Sequence, residues 1–157
     1  MDGKRVIIPS VSGPLPGPFE VVVQVRAEHT NGVLGVIQET LAPRVLVPTH
    51  VHSNDVWVRV EEGRVGVLVD GEIAIATAGQ WALKPRHVEH AMWNPTDEPA
   101  RITEILTPGG SERWFEELAD LADADDAGFA DACQRHGIKF HLDSPWIPRL
   151  REQYRLS

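Results

Sequence analysis

Two stretches decide the fold, RVLVPTHVHSNDVWVRVEEG at residues 44–63 and GQWALKPRHVEHAMWN at residues 79–94. The span from Leu46 to Asn94, which joins them, is dense in valine, isoleucine, alanine and tryptophan and has turns marked by glycine, which predicts β-strands. His50 and His52 are two residues apart, and alternate side chains of a strand leave the same face. His90 adds a third imidazole from a neighbouring strand. Three such side chains can hold one metal ion and leave positions open for a ligand.

Short Val-rich segments with turn signals continue on both sides of these stretches. Strands are predicted at residues 19–27 and 33–41 before them and at 101–106 after them. Between them, Asp70-Gly71 is a strong hairpin signal. Many short strands at this spacing predict a small antiparallel barrel or sandwich, so the chain is expected to be mainly all-β.

Composition divides the chain into three parts. The proline-rich residues 1–18 are expected to form an extended N-terminal arm, and residues 19–110 the barrel. Residues 111–157 are expected to form a helical tail packed on the outside of the barrel. Within that tail, Ser111 resembles an N-cap, and the apolar residues that follow it have helical spacing.

The overall composition narrows the function classes. The chain has 157 residues, which suits one domain, and a net charge of −8. An acidic chain without a basic patch argues against a nucleic acid or an anionic membrane as partner. No apolar run is long enough to span a membrane, and the single cysteine, Cys133, excludes an internal disulfide. A cytoplasmic location is therefore expected.

The two stretches resemble the two motifs of the cupin superfamily, small jelly-roll barrels that hold a metal in the barrel mouth. The first motif, G-x5-H-x-H-x3/4-E-x6-G, matches at His50, His52 and Gly63. The second, G-x5-P-x-G-x2-H-x3-N, matches at four positions, namely Gly79, Pro85, His90 and Asn94. The flanking segments are similar to those of the quercetin-dioxygenase-like subset of single-domain bacterial cupins. The resemblance implies one divalent transition metal per chain, with Fe(II) as first choice and Zn, Ni or Mn as alternatives.

Three positions depart from the motifs. Val56 occupies the slot of the glutamate that commonly supplies a fourth ligand, while Arg44 and His87 replace turn glycines. Because a three-histidine set is neutral, a bound ion would keep its full charge and attract an anionic substrate. Some cupins, including the diketone-cleaving and thiol dioxygenases, use three histidines without the glutamate. His87 is expected at the rim of the site.

Strand alternation assigns further side chains to the cavity. Glu104 is a candidate proton-transfer residue if the face that it shares with Ile102 and Leu106 lines the cavity. The parity of the strand at 33–41 is open: either Gln38 with Thr40, or alternatively Glu39, faces inward. Tryptophans in a small barrel can line a cavity or form core and dimer contacts. The substrate cavity is assigned to five residues: Gln38, Val56, Val58, Met92 and Trp57.

Two classes of function remain open. The first is a metal-dependent enzyme that acts on a small, largely apolar organic anion such as an enolate, phenolate or carboxylate. Its chemistry would be of the dioxygenase type or, alternatively, non-redox cyclisation or isomerisation. The second is a non-enzymatic small-molecule-binding protein. In either case the proline-rich arm and the exposed strand edges predict a homodimer.

Overall fold

A computed structural model of the chain describes Leu15 and residues 19–120 and 126–157. The predicted N-terminal arm therefore lies outside the described residues except for Leu15. The backbone N–H of Leu15 donates to the carbonyl oxygen of Val21 at 2.8 Å, as an isolated bridge to the first strand. Within the described residues no helix combines the length and the apolar character needed to cross a bilayer.

Ten strands and three α-helices follow one another along the described chain. The strands are β1 (Glu20–Val25), β2 (Gly35–Leu41), β3 (Leu46–His52), β4 (Asp55–Glu62), β5 (Arg64–Val69), β6 (Glu72–Thr77), β7 (Trp81–Lys84), β8 (His90–Trp93), β9 (Ala100–Thr107) and β10 (Ile138–Phe140). The helices are α1 (Glu112–Asp120), α2 (Asp126–Arg135) and α3 (Trp146–Tyr154). A short 3-10 helix at Ala27–Thr30 connects β1 to β2.

The strands form two antiparallel five-stranded sheets. The first has the order β1-β2-β9-β4-β7 and the second β10-β3-β8-β5-β6. Their inner faces enclose one apolar cluster, to which both sheets contribute, including Ile37, Val58, Val67, Met92 and Ile102. Alternating burial along β2, β4 and β9 reflects the two-residue period of a strand that packs on one face only. The predicted antiparallel jelly-roll barrel with a C-terminal helical segment is confirmed.

Two turns contain a non-glycine residue in the left-handed backbone conformation that glycine usually adopts. Arg44 and His87, which stand in glycine slots of the motifs, have φ angles of 59° and 61°. A left-handed residue with a Cβ costs about 1–2 kcal/mol, so the surroundings must hold it in place. The Arg44 guanidinium donates to Asp97 Oδ1 at 2.8 Å and to the carbonyl oxygen of Tyr154 at 3.1 Å. The His87 backbone N–H donates to the His52 carbonyl at 2.8 Å.

The tail is not wholly helical, which corrects the sequence prediction. Residues Ile138–Phe140 form β10, which pairs with β3 and places Ile138 opposite His52 and Phe140 opposite His50. This strand pairs with the edge of β3, the strand that carries two of the three histidines, and that edge would otherwise expose unpaired backbone groups. Three residues beside Gly137 are too few to show strand periodicity, so the sequence does not reveal it.

The helices pack on the outside of the barrel. Ile147 and Leu150 of α3 cover Leu68 and Trp93 on the outer face of the second sheet. Trp93 needs the close approach of a glycine, because a Cβ on Gly66 would lie 2.0 Å from its ring. Helices α1 and α2 form a separate apolar cluster with Phe140 of β10. The tail therefore covers the outside of the sheet that carries the histidines.

Candidate metal centre and the facing wall

Three imidazoles meet inside the barrel. His50 and His52 lie on β3, His90 lies on β8, and the register of the two strands puts His50 directly opposite His90. One ring nitrogen of each residue lies within 4.8 Å of those of the other two. All three side chains are buried. The structure thus brings together the three residues that the spacing singles out as metal ligands.

The backbone orients each imidazole ring. The Nδ1 atoms of His50, His52 and His90 lie 2.7, 2.7 and 2.8 Å from the carbonyl oxygens of Pro48, Asn54 and Val88. A carbonyl oxygen can only accept, so each Nδ1 carries the proton and donates it. Each Nε2 is then left with a free lone pair directed at the centre of the cluster. Hydrogen bonds of this kind fix the tautomer of metal-binding histidines.

The resulting donor set fits a divalent transition metal. His90 Nε2 lies 3.0 Å from His50 Nε2, and two lone pairs at this distance repel one another unless a cation lies between them. Two nitrogens bound at right angles to an ion at about 2.1 Å would stand about 3.0 Å apart. His52 Nε2 is buried and has no hydrogen-bond partner among the described residues. An ion would satisfy this nitrogen, since buried polar atoms rarely lack a partner.

The surroundings keep the imidazoles neutral. Burial lowers the pKa of His50 to about 3 and that of His52 to about 4, and it also lowers the pKa of His90. The positive charge of Lys84 lowers the pKa of all three further. Neutral imidazole is the form that binds a metal. The shared influence of Lys84 also indicates that its ammonium group faces the same interior as the histidines.

The slot of the missing glutamate is apolar, as the sequence predicts. Val56 belongs to the inner cluster together with Val58 and Met92, three of the residues assigned to the cavity. The acidic neighbour Asp55 points away from this interior and pairs with Arg86, with Oδ2 3.0 Å from Nη2. The ion pair lowers the pKa of the Asp55 carboxyl, mainly through the Arg86 hydrogen bonds. No carboxylate on β4 therefore completes the histidine set.

Two predicted cavity residues lie outside the barrel, which makes those predictions wrong. Trp57 is 43% exposed and shares the outer face of the first sheet with Trp81 and Leu83. It alternates with the buried Val56 and Val58, so it cannot share their direction. Gln38 alternates in the same way with Ile37 and Glu39, and its Oε1 accepts a hydrogen bond from Gln24 at 3.3 Å.

His87 is exposed and does not join the cluster. It lies in the turn between β7 and β8, three residues before His90, where its backbone N–H reaches His52. This position is adjacent to the ligands, and a role of the side chain at the rim stays a prediction.

A buried ion pair lies on the inner face of the first sheet, whereas the histidines belong to the second. Lys84 Nζ on β7 lies 2.6 Å from Glu104 Oε1 on β9, and both side chains are about 95% buried. Register brings them together, because β4 lies between their strands and pairs Val56 with Lys84 and Val58 with Glu104. Glu104 thus faces inward, as its predicted proton-transfer role requires, but it forms an ion pair with Lys84. We call Lys84, Glu104 and Glu39 the charged wall.

Glu39 of β2 is the third member of the charged wall. It is 4% exposed, lies between the buried Ile37 and Leu41, and pairs in register with Ile102. Ile37, two residues before Glu39 on β2, pairs with Glu104, so the two glutamates occupy diagonal inward positions. Burial, followed by the negative charge of Glu104, raises the pKa of Glu39 to about 8, and the charge of Lys84 opposes the shift.

The charged wall was only partly visible in the sequence. Ile37 and Leu41 flank Glu39 at strand spacing, and this apolar pair could have resolved the parity of β2 in favour of Glu39. For Lys84 the sequence is misleading. Trp81 and Leu83 have the composition of a buried strand face, which would put Lys84 on the exposed face of β7. They are the exposed large hydrophobic residues of that strand, and the lysine is buried.

Comparison with known proteins agrees with this architecture. Residues 37–106, less than half of the chain, are similar to the family model described as Cupin domain. No curated protein matches the chain in sequence.

Three solved structures share the fold at low identity. A predicted oxalate decarboxylase from Thermotoga maritima is 16% identical, with a TM-score of 0.55 over 59% of this chain and 82% of that chain. KdgF from Halomonas sp. is 16% identical, with a TM-score of 0.53 over 61% and 84%. The polyketide cyclase RemF from Streptomyces resistomycificus is 17% identical, with a TM-score of 0.52 over 66% and 78%. Similarity at this level establishes the shared fold.

Proposed function

We propose that this chain is a metal-dependent enzyme that acts on a small, largely apolar organic anion, with one divalent transition metal ion held by His50, His52 and His90. The observation that carries the proposal is the convergence of three Nε2 lone pairs, each made available by an Nδ1–H bond to a backbone carbonyl. Such a set has no net charge, so it does not reduce the charge of the ion that it binds.

The chain's own residues would bind and orient the substrate. When bound, the ion supplies a Lewis acid and, in the case of iron, a centre for reaction with dioxygen. Val56, Val58 and Met92 form apolar walls that exclude water and select an apolar substrate body. Because the three imidazoles are neutral, they would leave the positive charge of the ion uncompensated, and this charge would favour the anionic end of the substrate.

Our first choice of chemistry is oxygenation of the dioxygenase type with Fe(II), as in the quercetin-dioxygenase-like cupins. The absence of a carboxylate at Val56 supports it, because three protein ligands leave room for a bidentate substrate and dioxygen together. The second candidate is non-redox cyclisation or isomerisation. The buried acid Glu39 favours this candidate, because such reactions require a proton donor and acceptor near the substrate.

Metal content and oxygen dependence together test the proposal. Elemental analysis of protein purified without an affinity tag, before and after Fe(II) reconstitution, is expected to approach one ion per chain. The reconstituted protein is then assayed against small enols, phenols and carboxylates with and without oxygen. Turnover that stops under anaerobic conditions supports oxygenation, and turnover that persists supports the non-redox reaction.

A non-enzymatic binding protein is the outcome that would overturn the proposal. It is expected to retain less than about one-tenth of an ion per chain even after reconstitution. His87→Ala serves as the matched control for such measurements, since His87 lies three residues from His90 but outside the cluster. Its metal content should equal that of the wild type.

A further inference from the structure

The charged wall contains more acid than base. Glu39 and Glu104 could carry two negative charges, and Lys84 is the one cation of the described residues that acts on Glu39. A second uncompensated carboxylate in this interior would be strongly unfavourable. The wall therefore holds one additional proton at neutral pH.

Geometry decides which glutamate holds that proton. Glu104 forms an ion pair with Lys84, whose Nζ lies 2.6 Å from Glu104 Oε1. The Glu39 side chain makes no hydrogen bond to another described residue. The negative charge of Glu104 raises the pKa of Glu39 by more than the positive charge of Lys84 lowers it. The proton therefore stays on Glu39, whose carboxyl group remains free to donate it.

The other elements around Glu39 supply no competing charge. The neighbouring strand β1 contributes the buried Val21 and Val23, and β9 contributes Ile102 beside Glu104. The three histidines belong to the other sheet, and none of them is among the charges that shift the pKa of Glu39. Among the described residues, only Glu104 and Lys84 shift the proton affinity of Glu39 by their charge.

We propose that Glu39 is the acid–base residue of this cavity, held as a neutral carboxylic acid by its burial beside the ion-paired carboxylate of Glu104, and facing the substrate from the sheet opposite the three histidines. This inference rests on the proposed function and assigns a proton-transfer role that the sequence suggested for Glu104. The substrate class that it implies is an anion that can accept a proton at carbon or oxygen, such as an enolate.

The proton transfer balances without a further reactant. The O–H bond of Glu39 breaks, its electron pair stays on the carboxylate, and the proton bonds to the electron pair of the enolate. The positive charge of Lys84 stabilises the new negative charge on Glu39, since it already lowers the pKa of Glu39. Removal of a proton from a neutral substrate is the same step in reverse.

Infrared difference spectroscopy of the protein as purified and after zinc loading tests the protonation state. Wild type should show the carbonyl band of a protonated carboxylic acid at pH 7, and the band should disappear with a midpoint near pH 8. Glu39→Gln should lack this band. Glu104→Gln should lower the midpoint to below pH 7, because it removes a negative charge and frees Lys84 to pair with Glu39.

Glu61→Gln is the matched control. Glu61 lies on β4 of the same sheet, and its pKa is lowered by the Arg59 hydrogen bond, so it is ionised at pH 7 and its substitution should leave the band unchanged. A band absent from wild type at pH 7, or retained in Glu39→Gln, would overturn the proposal. A Glu104→Gln midpoint equal to that of wild type would also overturn it.

Azide binding to cobalt-loaded protein tests whether Glu39 faces the ligand position. Ionisation of Glu39 adds a negative charge to the cavity, so the azide Kd of wild type should weaken between pH 7 and pH 9 by about tenfold more than that of Glu39→Gln. Equal pH dependence in the two proteins would contradict the proposed position. Failure of wild type to bind any metal would instead overturn the proposed function, while the infrared titration would still judge Glu39.

Discussion

The two walls of the barrel differ in charge and in how the chain builds them. The histidine wall is neutral, and each ring is held by a backbone carbonyl two residues away in sequence. The charged wall takes one residue from each of three strands, which the sheet order brings together over 66 positions from Glu39 to Glu104. Local geometry thus orients each imidazole and a single strand pairing brings the three together, whereas the buried charges depend on the order of four strands.

His90→Ala should have the largest effect, and it acts on the histidine wall alone. Metal sites of this kind are worth about 10–16 kcal/mol shared among their ligands, so loss of one should weaken binding about a thousandfold. Competition with a metal chelator measures the affinity. His87→Ala should bind as wild type does, and equal weakening in both variants would show that the cluster is not the metal site.

Lys84→Met should destabilise the fold through the charged wall. The substitution leaves Glu104 buried without its partner, which costs about 3–5 kcal/mol. Urea denaturation measures the free energy of unfolding. The double variant Lys84→Met/Glu104→Met should recover most of the loss, because apolar residues can replace a buried pair. A single variant as stable as wild type would contradict the burial of this pair.

The pH dependence of stability should separate the walls further. The pKa of Glu39 is about 8 in the folded chain against an ordinary 4.5, so the folded state holds a proton that the unfolded chain releases. Its stabilising contribution is complete below about pH 4.5 and is lost as the pH rises through 8. Between about pH 5 and pH 8 the unfolding free energy of wild type should fall relative to Glu39→Gln by about 1.4 kcal/mol per pH unit.

Urea denaturation across this pH range provides the measurement. Glu61→Gln is the control, because the pKa of Glu61 is lowered and the group is ionised throughout the window. Parallel stability profiles for wild type and Glu39→Gln would show that Glu39 does not carry the proton.

Trp57→Ala should have the smallest effect on either wall. The side chain lies on the outer face beside Trp81 and Leu83, so metal binding should be unchanged and the stability of the monomer altered by about 0.5 kcal/mol or less. Light scattering on wild type and variant examines the predicted homodimer at the same time. If wild type is a dimer and Trp57→Ala is a monomer, this face forms the subunit contact. If Trp57→Ala loses the metal, the assignment of Trp57 to the outer face is contradicted.

The sequence alone determined the features that depend on neighbouring residues. The two-residue period of a strand put His50 and His52 on one face and assigned Met92 to the inner side, while the resemblance to the first cupin motif placed Val56 in the slot of the missing ligand. The turn positions also followed from local pattern, because Arg44 and His87 keep the left-handed backbone of the glycines that they replace. Such features need no knowledge of which strands become neighbours.

Only the tertiary structure decided which distant side chains meet and which face of each strand is buried. Strand order brought Lys84 to Glu104 across β4, and register placed Glu39 diagonally to that pair. The tertiary structure also placed β10 beside β3 and left Trp57 and Trp81 on the outer face of the first sheet. The physical reason is that burial in a sheet depends on what packs against each face. A lysine can be buried where a carboxylate meets it, and a tryptophan can be exposed where no element covers it.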